Sequence, residues 1–208
     1  LLIWSQHHIL LDGWCLPIVI NDVMKAYEAI LQGKELQLPS RRPFKDYIAW
    51  LQKQDMSKAE SFWKQTLHDI EVPTRVSFKG TFEQQRDKDY DSFLTTLSEE
   101  GTTKLRMFAQ ERNLTLNTLM QAAVGVVLKT YTQQKEIILG VTVSGRNIDL
   151  PGIEDMVGLF INTLPLRITF KPQETLLTFL KRLQETTQKL NDYAYAPLAQ
   201  IQSWAGHT

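Results

Sequence analysis

Apolar residues recur along this chain at two periods, and the changes between those periods outline its elements. Residues 1–9 form a short apolar run that ends in a turn at Asp12-Gly13, which predicts a strand. Beyond it Ile20, Val23, Met24, Tyr27, Ile30 and Leu31 fall at helical spacing, with Pro17 suited to the first turn and Gly33 to the stop. Pro43 opens a second helix with Phe44, Tyr47, Ile48 and Leu51 inward. Ser57-Lys58-Ala59-Glu60 reads as a capping box for a third helix that carries Phe62, Trp63 and Leu67 on one side. Residues 68–92 mix charges with Pro73 and Gly80 and have no period, so they read as an irregular crossing.

The second half is more regular. Residues 93–97 predict a strand and 103–112 a helix through Leu105, Phe108 and Ala109. Thr115 caps a strongly apolar helix with Leu116, Leu119, Met120, Ala123, Val124, Val127, Leu128 and Tyr131. Residues 136–143 are almost continuously apolar, the pattern of a strand buried on both faces. Strand signals follow at 158–162 and 164–170, and Thr175 caps a last long helix with Leu176, Leu177, Leu180, Leu183 and Leu190. Helices and strands interleave without strict alternation. The fold class is α/β, in the two-layer α+β sense, with a boundary near residue 55 where a charged stretch separates two helical patterns.

Adjacent histidines at the end of the first run are the first candidate chemistry. On a strand, neighbouring side chains point to opposite faces, so His8 goes with Trp4 and Gln6, and His7 with Ile3 and Ser5. One imidazole can then act as a base at a cleft while the other supports the fold. Gly13 lets the chain turn where a side chain would clash. A metal site on His7, His8 and Asp12 is disfavoured, because the rings diverge and no third His or Cys lies near in sequence. Cys15 reads either as a thiol nucleophile or as a small buried residue. Spacing alone does not choose among these.

Composition narrows the classes. The chain has 208 residues, 43% hydrophobic and 22% charged, enough for one large domain or two small lobes. Lys plus Arg and Asp plus Glu both number 23, so the net charge is zero, which argues against nucleic acid as a partner. No apolar run reaches the roughly 18–20 residues that span a bilayer, so no membrane is expected. A single cysteine excludes an internal disulfide framework and any Cys-rich zinc site. Nothing resembles a signal peptide, and a cytoplasmic location is expected. The chain lacks an initiator Met and opens on a strand already under way, so it reads as a piece of a longer polypeptide.

Taken whole, His7-His8-Ile9-Leu10-Leu11-Asp12-Gly13-Trp14 resembles the HHxxxDGW signature of the condensation domains of nonribosomal peptide synthetases. Further segments agree in order. Phe44-Lys45-Asp46-Tyr47-Ile48-Ala49-Trp50 resembles an aromatic segment of that family, and Ser144-Gly145-Arg146 its SGR element. Gly158-Leu159-Phe160-Ile161-Asn162-Thr163 is similar to its G-x-F-[VI]-N-T signature, and Tyr195-Ala196-Pro197-Leu198 to the element after it.

The resemblance implies two chloramphenicol acetyltransferase-like lobes around a tunnel, incomplete here. Residues 1–55 would be the end of the first lobe, and 56–208 a linker helix and most of the second. It implies amide bond formation between a donor acyl or peptidyl thioester and an acceptor aminoacyl thioester. Both arrive on 4′-phosphopantetheine arms of peptidyl carrier proteins, beside an adenylation domain in the parent chain, and no cofactor or metal is bound directly. His8 would be the general base, since an unperturbed imidazole is mostly neutral at pH 7. Asp12 would pair with Arg146 to hold the loop, and His7 and Gly13 would support it, with the N–H after Gly13 polarising the donor carbonyl. Trp14 and Asn162 would lie near the substrate. Ser is common in the family where this chain has Cys15. An epimerisation-type domain, a non-catalytic carrier-docking lobe and a stand-alone CoA-type acyltransferase are the alternatives. Epimerisation domains carry a Glu-Gly-His-Gly-Arg segment where this chain has Val143-Ser144-Gly145-Arg146-Asn147. The 208-residue piece is expected to be inactive alone.

Overall fold

The computed structural model describes residues 3–70, 74–76 and 93–206. Seven α-helices, one short 3-10 helix (Ile153–Asp155) and two strands are assigned among them: α1 (Cys15–Leu31), α2 (Phe44–Leu51), α3 (Met56–Thr66), α4 (Glu99–Glu111), α5 (Leu116–Thr132), β1 (Glu136–Val143), β2 (Asn162–Thr169), α6 (Leu176–Asn191) and α7 (Leu198–Trp204). The chain divides into two compact units. One comprises residues 1–68, 140–165 and 190–208, the other 69–139 and 166–189.

Helix starts follow side-chain chemistry. Thr115 caps α5 by accepting the Thr118 N–H at 3.0 Å, and Thr175 accepts the Thr178 N–H at 3.2 Å before α6. The expected capping box at Ser57 is displaced: Asp55 is the N-cap of α3, its carboxylate taking the Ser57 and Lys58 N–H groups and the Ser57 hydroxyl. An acid two residues earlier offers a stronger acceptor than the hydroxyl. Ser98 likewise starts α4 earlier than the apolar pattern indicated, accepting the Gly101 N–H at 3.1 Å. Helix α7 had no counterpart in the apolar pattern and is too short to show a period.

β1 and β2 form a two-stranded sheet. Phe170 N–H donates to the Lys135 carbonyl and Arg167 pairs with Glu136, while Gly140 lies against Thr163, so the strands run antiparallel. β2 alternates cleanly, burying Leu164, Leu166 and Ile168. β1 buries Ile137 and Val141 with the residues between them half-buried or exposed, so it is not covered on both faces as its composition suggested. No strand is assigned at residues 3–9, at 93–97 or at 158–161. Among the described residues no ladder is assigned to any of these runs, and without a ladder an apolar run is only extended chain.

Two cores carry the units. In the first, Leu150, Ile153, Met156 and Phe160 pack with Phe44, Tyr47 and Trp50 of α2, and the fully buried Trp63 sits on α3. In the second, Leu166, Ile168, Phe179, Leu180 and Leu183 are buried. Much of the apolar spacing on α1 and α5 is left uncovered. Ile20, Val23, Met24, Tyr27, Ile30 and Leu31 are all at least half exposed, and so are Met120, Val127 and Tyr131. α5 instead buries Thr118, Gln121, Ala122 and Gly125, and the Ile168 side chain lies against Gly125, where an added Cβ would stand 2.9 Å away.

Candidate active site

The first unit gathers every segment that carried the family resemblance. Its centre is Asp12, whose side chain is wholly buried. Oδ2 accepts the Phe160 N–H at 2.9 Å and Oδ1 the Trp14 N–H at 3.1 Å, while the Asp12 N–H donates to the Gly158 carbonyl at 3.3 Å. Burial drives this carboxyl towards its neutral form. The Phe160 N–H, the Cys15 thiol, the Arg146 charge and the Ile161 N–H outweigh burial and hold it below the ordinary carboxylate value.

Arg146 is the expected guanidinium, 3.6 Å from Asp12 Oδ1, with its own side chain 4% exposed. That separation is too long for a direct hydrogen bond. Nη1 donates to the Ile153 and Met156 carbonyls, Nη2 to Cys15 Sγ at 3.2 Å, and the guanidinium carbon lies 4.0 Å from the Phe160 ring centroid. Gly145, with φ +67°, backs onto Phe160 so closely that a Cβ would stand 1.9 Å from its carbonyl oxygen. Here glycine is required twice, by conformation and by space.

Aromatic packing ties in α2. The Phe44 ring meets Phe160 edge-on at 5.1 Å and Tyr47 meets it at 4.8 Å. Gly158 accommodates the Phe44 ring, which a Cβ would strike at 2.1 Å. Asn162 donates both amide hydrogens to backbone, to the Ala194 carbonyl at 2.8 Å and the Ala196 carbonyl at 2.7 Å, and so holds the turn before α7. Tyr195 closes the arrangement by donating its hydroxyl to the Asp55 carbonyl at 3.0 Å and meeting Trp50 edge-on.

Above this dry base stand the histidines. Both are exposed, and they lie at a turn rather than on a strand. His7 Nδ1 accepts the Ile9 N–H at 3.1 Å and its carbonyl accepts the Leu10 N–H, so His7 shapes the turn. The His8 ring is open to solvent. Two expectations are corrected. Gly13 has open space where a Cβ would be and no left-handed φ, so this bend does not need glycine sterically. The N–H after it, that of Trp14, is committed to Asp12 and is not free to polarise a carbonyl. Trp14 itself is half exposed. Sequence reasoning missed Cys15 as the atom between Asp12 and Arg146. The only available signal was its position three residues after the aspartate, at the first position of a helix. Among the described residues no group of three His, Cys, Asp or Glu gathers as a metal site.

The site sets an exposed imidazole at a turn a few residues from a buried aspartate that faces a buried arginine, within a mixed α/β fold. The Condensation domain family model matches residues 1–208, and the chain belongs to that family. It is 45% identical over 204 residues to one of the proteins that make up the linear gramicidin synthase of Brevibacillus parabrevis, covering 98% of this chain and 3% of that protein. It is 40% identical to surfactin synthase subunit 3 of Bacillus subtilis (strain 168), covering 98% and 16%. The chain therefore spans a small part of the curated relatives it matches. Its fold is similar to part of the first condensation domain of the calcium-dependent antibiotic synthetase, with a TM-score of 0.77 at 18% identity over 97% of this chain and 45% of that one. The X-domain from teicoplanin biosynthesis matches with a TM-score of 0.74 at 23% identity, over 97% and 46%. Among the described residues no helix is long and apolar enough to cross a membrane.

Proposed function

We propose that this chain is the His8-bearing part of a condensing enzyme that joins two carrier-bound thioesters into an amide. The observation that carries it is the contrast within eight residues: His8 is exposed, while Asp12 is locked by Phe160, Trp14 and, through Cys15, Arg146. A fixed base under a free imidazole is what positioning a small reacting group requires. The acceptor amine nitrogen attacks the donor thioester carbonyl, the C–N bond forms and the C–S bond breaks. His8 takes or orients the proton that leaves the amine, and the pantetheine sulfur leaves as thiolate and is reprotonated. Both substrates come on 4′-phosphopantetheine arms of peptidyl carrier domains, next to an adenylation domain, in the cytoplasm, and no metal or further cofactor takes part. Residues 1–55 belong on this reading to a first acetyltransferase-like lobe and 56–208 to a linker helix and the second. Ser144-Gly145-Arg146 in place of a second histidine-bearing segment favours condensation over epimerisation.

The test is His8→Ala in the full-length synthetase, with loaded donor and acceptor carriers and mass-spectrometric detection of product. A fall of about a hundredfold or more is expected. Amide formation within about threefold of wild type would remove His8 from the chemistry.

A further inference from the structure

Cys15 is the chain's single cysteine, fully buried, and the chemistry proposed above leaves its thiol unused. Its surroundings are polar. Sγ accepts the Arg146 Nη2–H at 3.2 Å and the Gly158 N–H at 3.3 Å, and it lies 3.4 Å from Asp12 Oδ1 and 3.2 Å from the Gly158 carbonyl, either of which its one proton can reach. The sulfur thus fills the gap that keeps Asp12 and Arg146 3.6 Å apart. It does not serve as a helix cap. Trp14 holds the N-cap position of α1 in a helical conformation, with no side chain bonding the first turn.

We propose that Cys15 is a positioning residue for condensation: its sulfur couples Asp12 to Arg146 and Gly158 and thereby fixes the turn that presents His8. A residue that only fills volume would need no hydrogen-bonding atom here. Two N–H donors from separate segments converge on this one, in a site too dry for water to replace it. Arg146 Nε already has no hydrogen-bond partner among the described residues, so losing the sulfur would leave a second of its buried donors without that acceptor. An apolar side chain at position 15 strands Nη2 and the Gly158 N–H, and leaves only the 3.6 Å ionic contact between Asp12 and Arg146. A hydroxyl keeps the same donor and acceptor set with a shorter reach.

This inference rests on the condensation reading, and the experiment separates the two. Cys15→Ala, Cys15→Val and Cys15→Ser are compared with His8→Ala in the full-length synthetase, measuring kcat and the KM for each loaded carrier. Both apolar variants are expected to lose about tenfold or more in kcat with KM within about twofold, and Cys15→Ser to stay within about threefold of wild type. If His8→Ala retains wild-type turnover, the functional reading fails, whatever Cys15 does. If His8→Ala is inactive but the apolar variants keep wild-type kcat, or Ser rescues no better than Ala, the Cys15 proposal alone is overturned. It is also overturned if neither apolar variant folds, because Cys15 then acts on the fold and not on the chemistry.

Discussion

Arg182 in the second unit grips Glu174 as a fork, Nε to Oε1 at 2.9 Å and Nη2 to Oε2 at 2.7 Å, with part of its side chain in solvent. Arg146 in the first unit stands 3.6 Å from Asp12, with both side chains out of water. Distance alone ranks the fork as the stronger pair. Burial reverses that ranking for what happens when a partner is removed. The fork joins residues eight apart and can exchange its bonds for water, whereas the Asp12–Arg146 arrangement joins segments more than a hundred residues apart and has no water to fall back on. Good geometry marks a local fastening, and a looser buried geometry marks the joint on which the candidate site depends.

Arg146→Ala should separate the two most sharply. It leaves the Asp12 carboxylate buried without its cation and two carbonyls without their donor, a loss of about 3–5 kcal/mol. Hydrogen exchange in peptides carrying Trp14, Gly158 and Phe160 should accelerate about a hundredfold or more, since each 1.4 kcal/mol is a factor of ten. Peptides of α6 should be unchanged. Equal acceleration in both units would mean that the molecule has one joint and not two.

Acid should act on the same joint with a smaller effect. The Asp12 carboxyl is held below its ordinary value in the folded chain, so the unfolded chain binds the proton more readily. The stabilisation is therefore fully present above about pH 3.9, the ordinary value, and is lost as pH falls through the lower folded value. Protection of the Trp14 and Phe160 amides, corrected for intrinsic exchange rates, should fall below that point in wild type. It should stay flat with pH in Asp12→Asn. A flat wild-type profile would place the Asp12 proton elsewhere.

Much of the candidate site was legible in the sequence because motifs name residues. His8, Asp12 and Arg146 could be singled out before any geometry was known. The route between them was not legible, because it passes through a sulfur and through the backbone of residues 156–160, and backbone bonds leave no trace in side-chain type. All the helices but α7 were found by period, but the burial of α1 and α5 was not. Val23 and Tyr27 belong to an apolar face by spacing, yet stay exposed here, since periodicity names a face and not what covers it. The run at residues 3–9 failed for a related reason. Its composition suits a strand, but a strand is defined by its neighbour.

Arg182→Met should have the smallest effect of the three. The change removes the fork to Glu174 and the bonds to the Thr169 hydroxyl and carbonyl at 2.9 Å and 2.7 Å, while keeping an apolar stem for the Phe179 ring nearby. The pair is partly exposed through Arg182, so exchange rates in α6 peptides should rise no more than about threefold. Salt should act in the same direction, because a partly exposed pair is screened at high ionic strength. The clearest mark of the change is a titration. Glu174 sits below its ordinary value, first through the Arg182 hydrogen bond and then through its charge and that of Lys171. Without Arg182 its carboxyl should titrate at a higher pH in NMR, and the stabilisation that wild type loses as acid protonates Glu174 should shrink. A large loss of protection across the second unit would show that the fork carries more than its exposure allows, and would erase the contrast with Arg146.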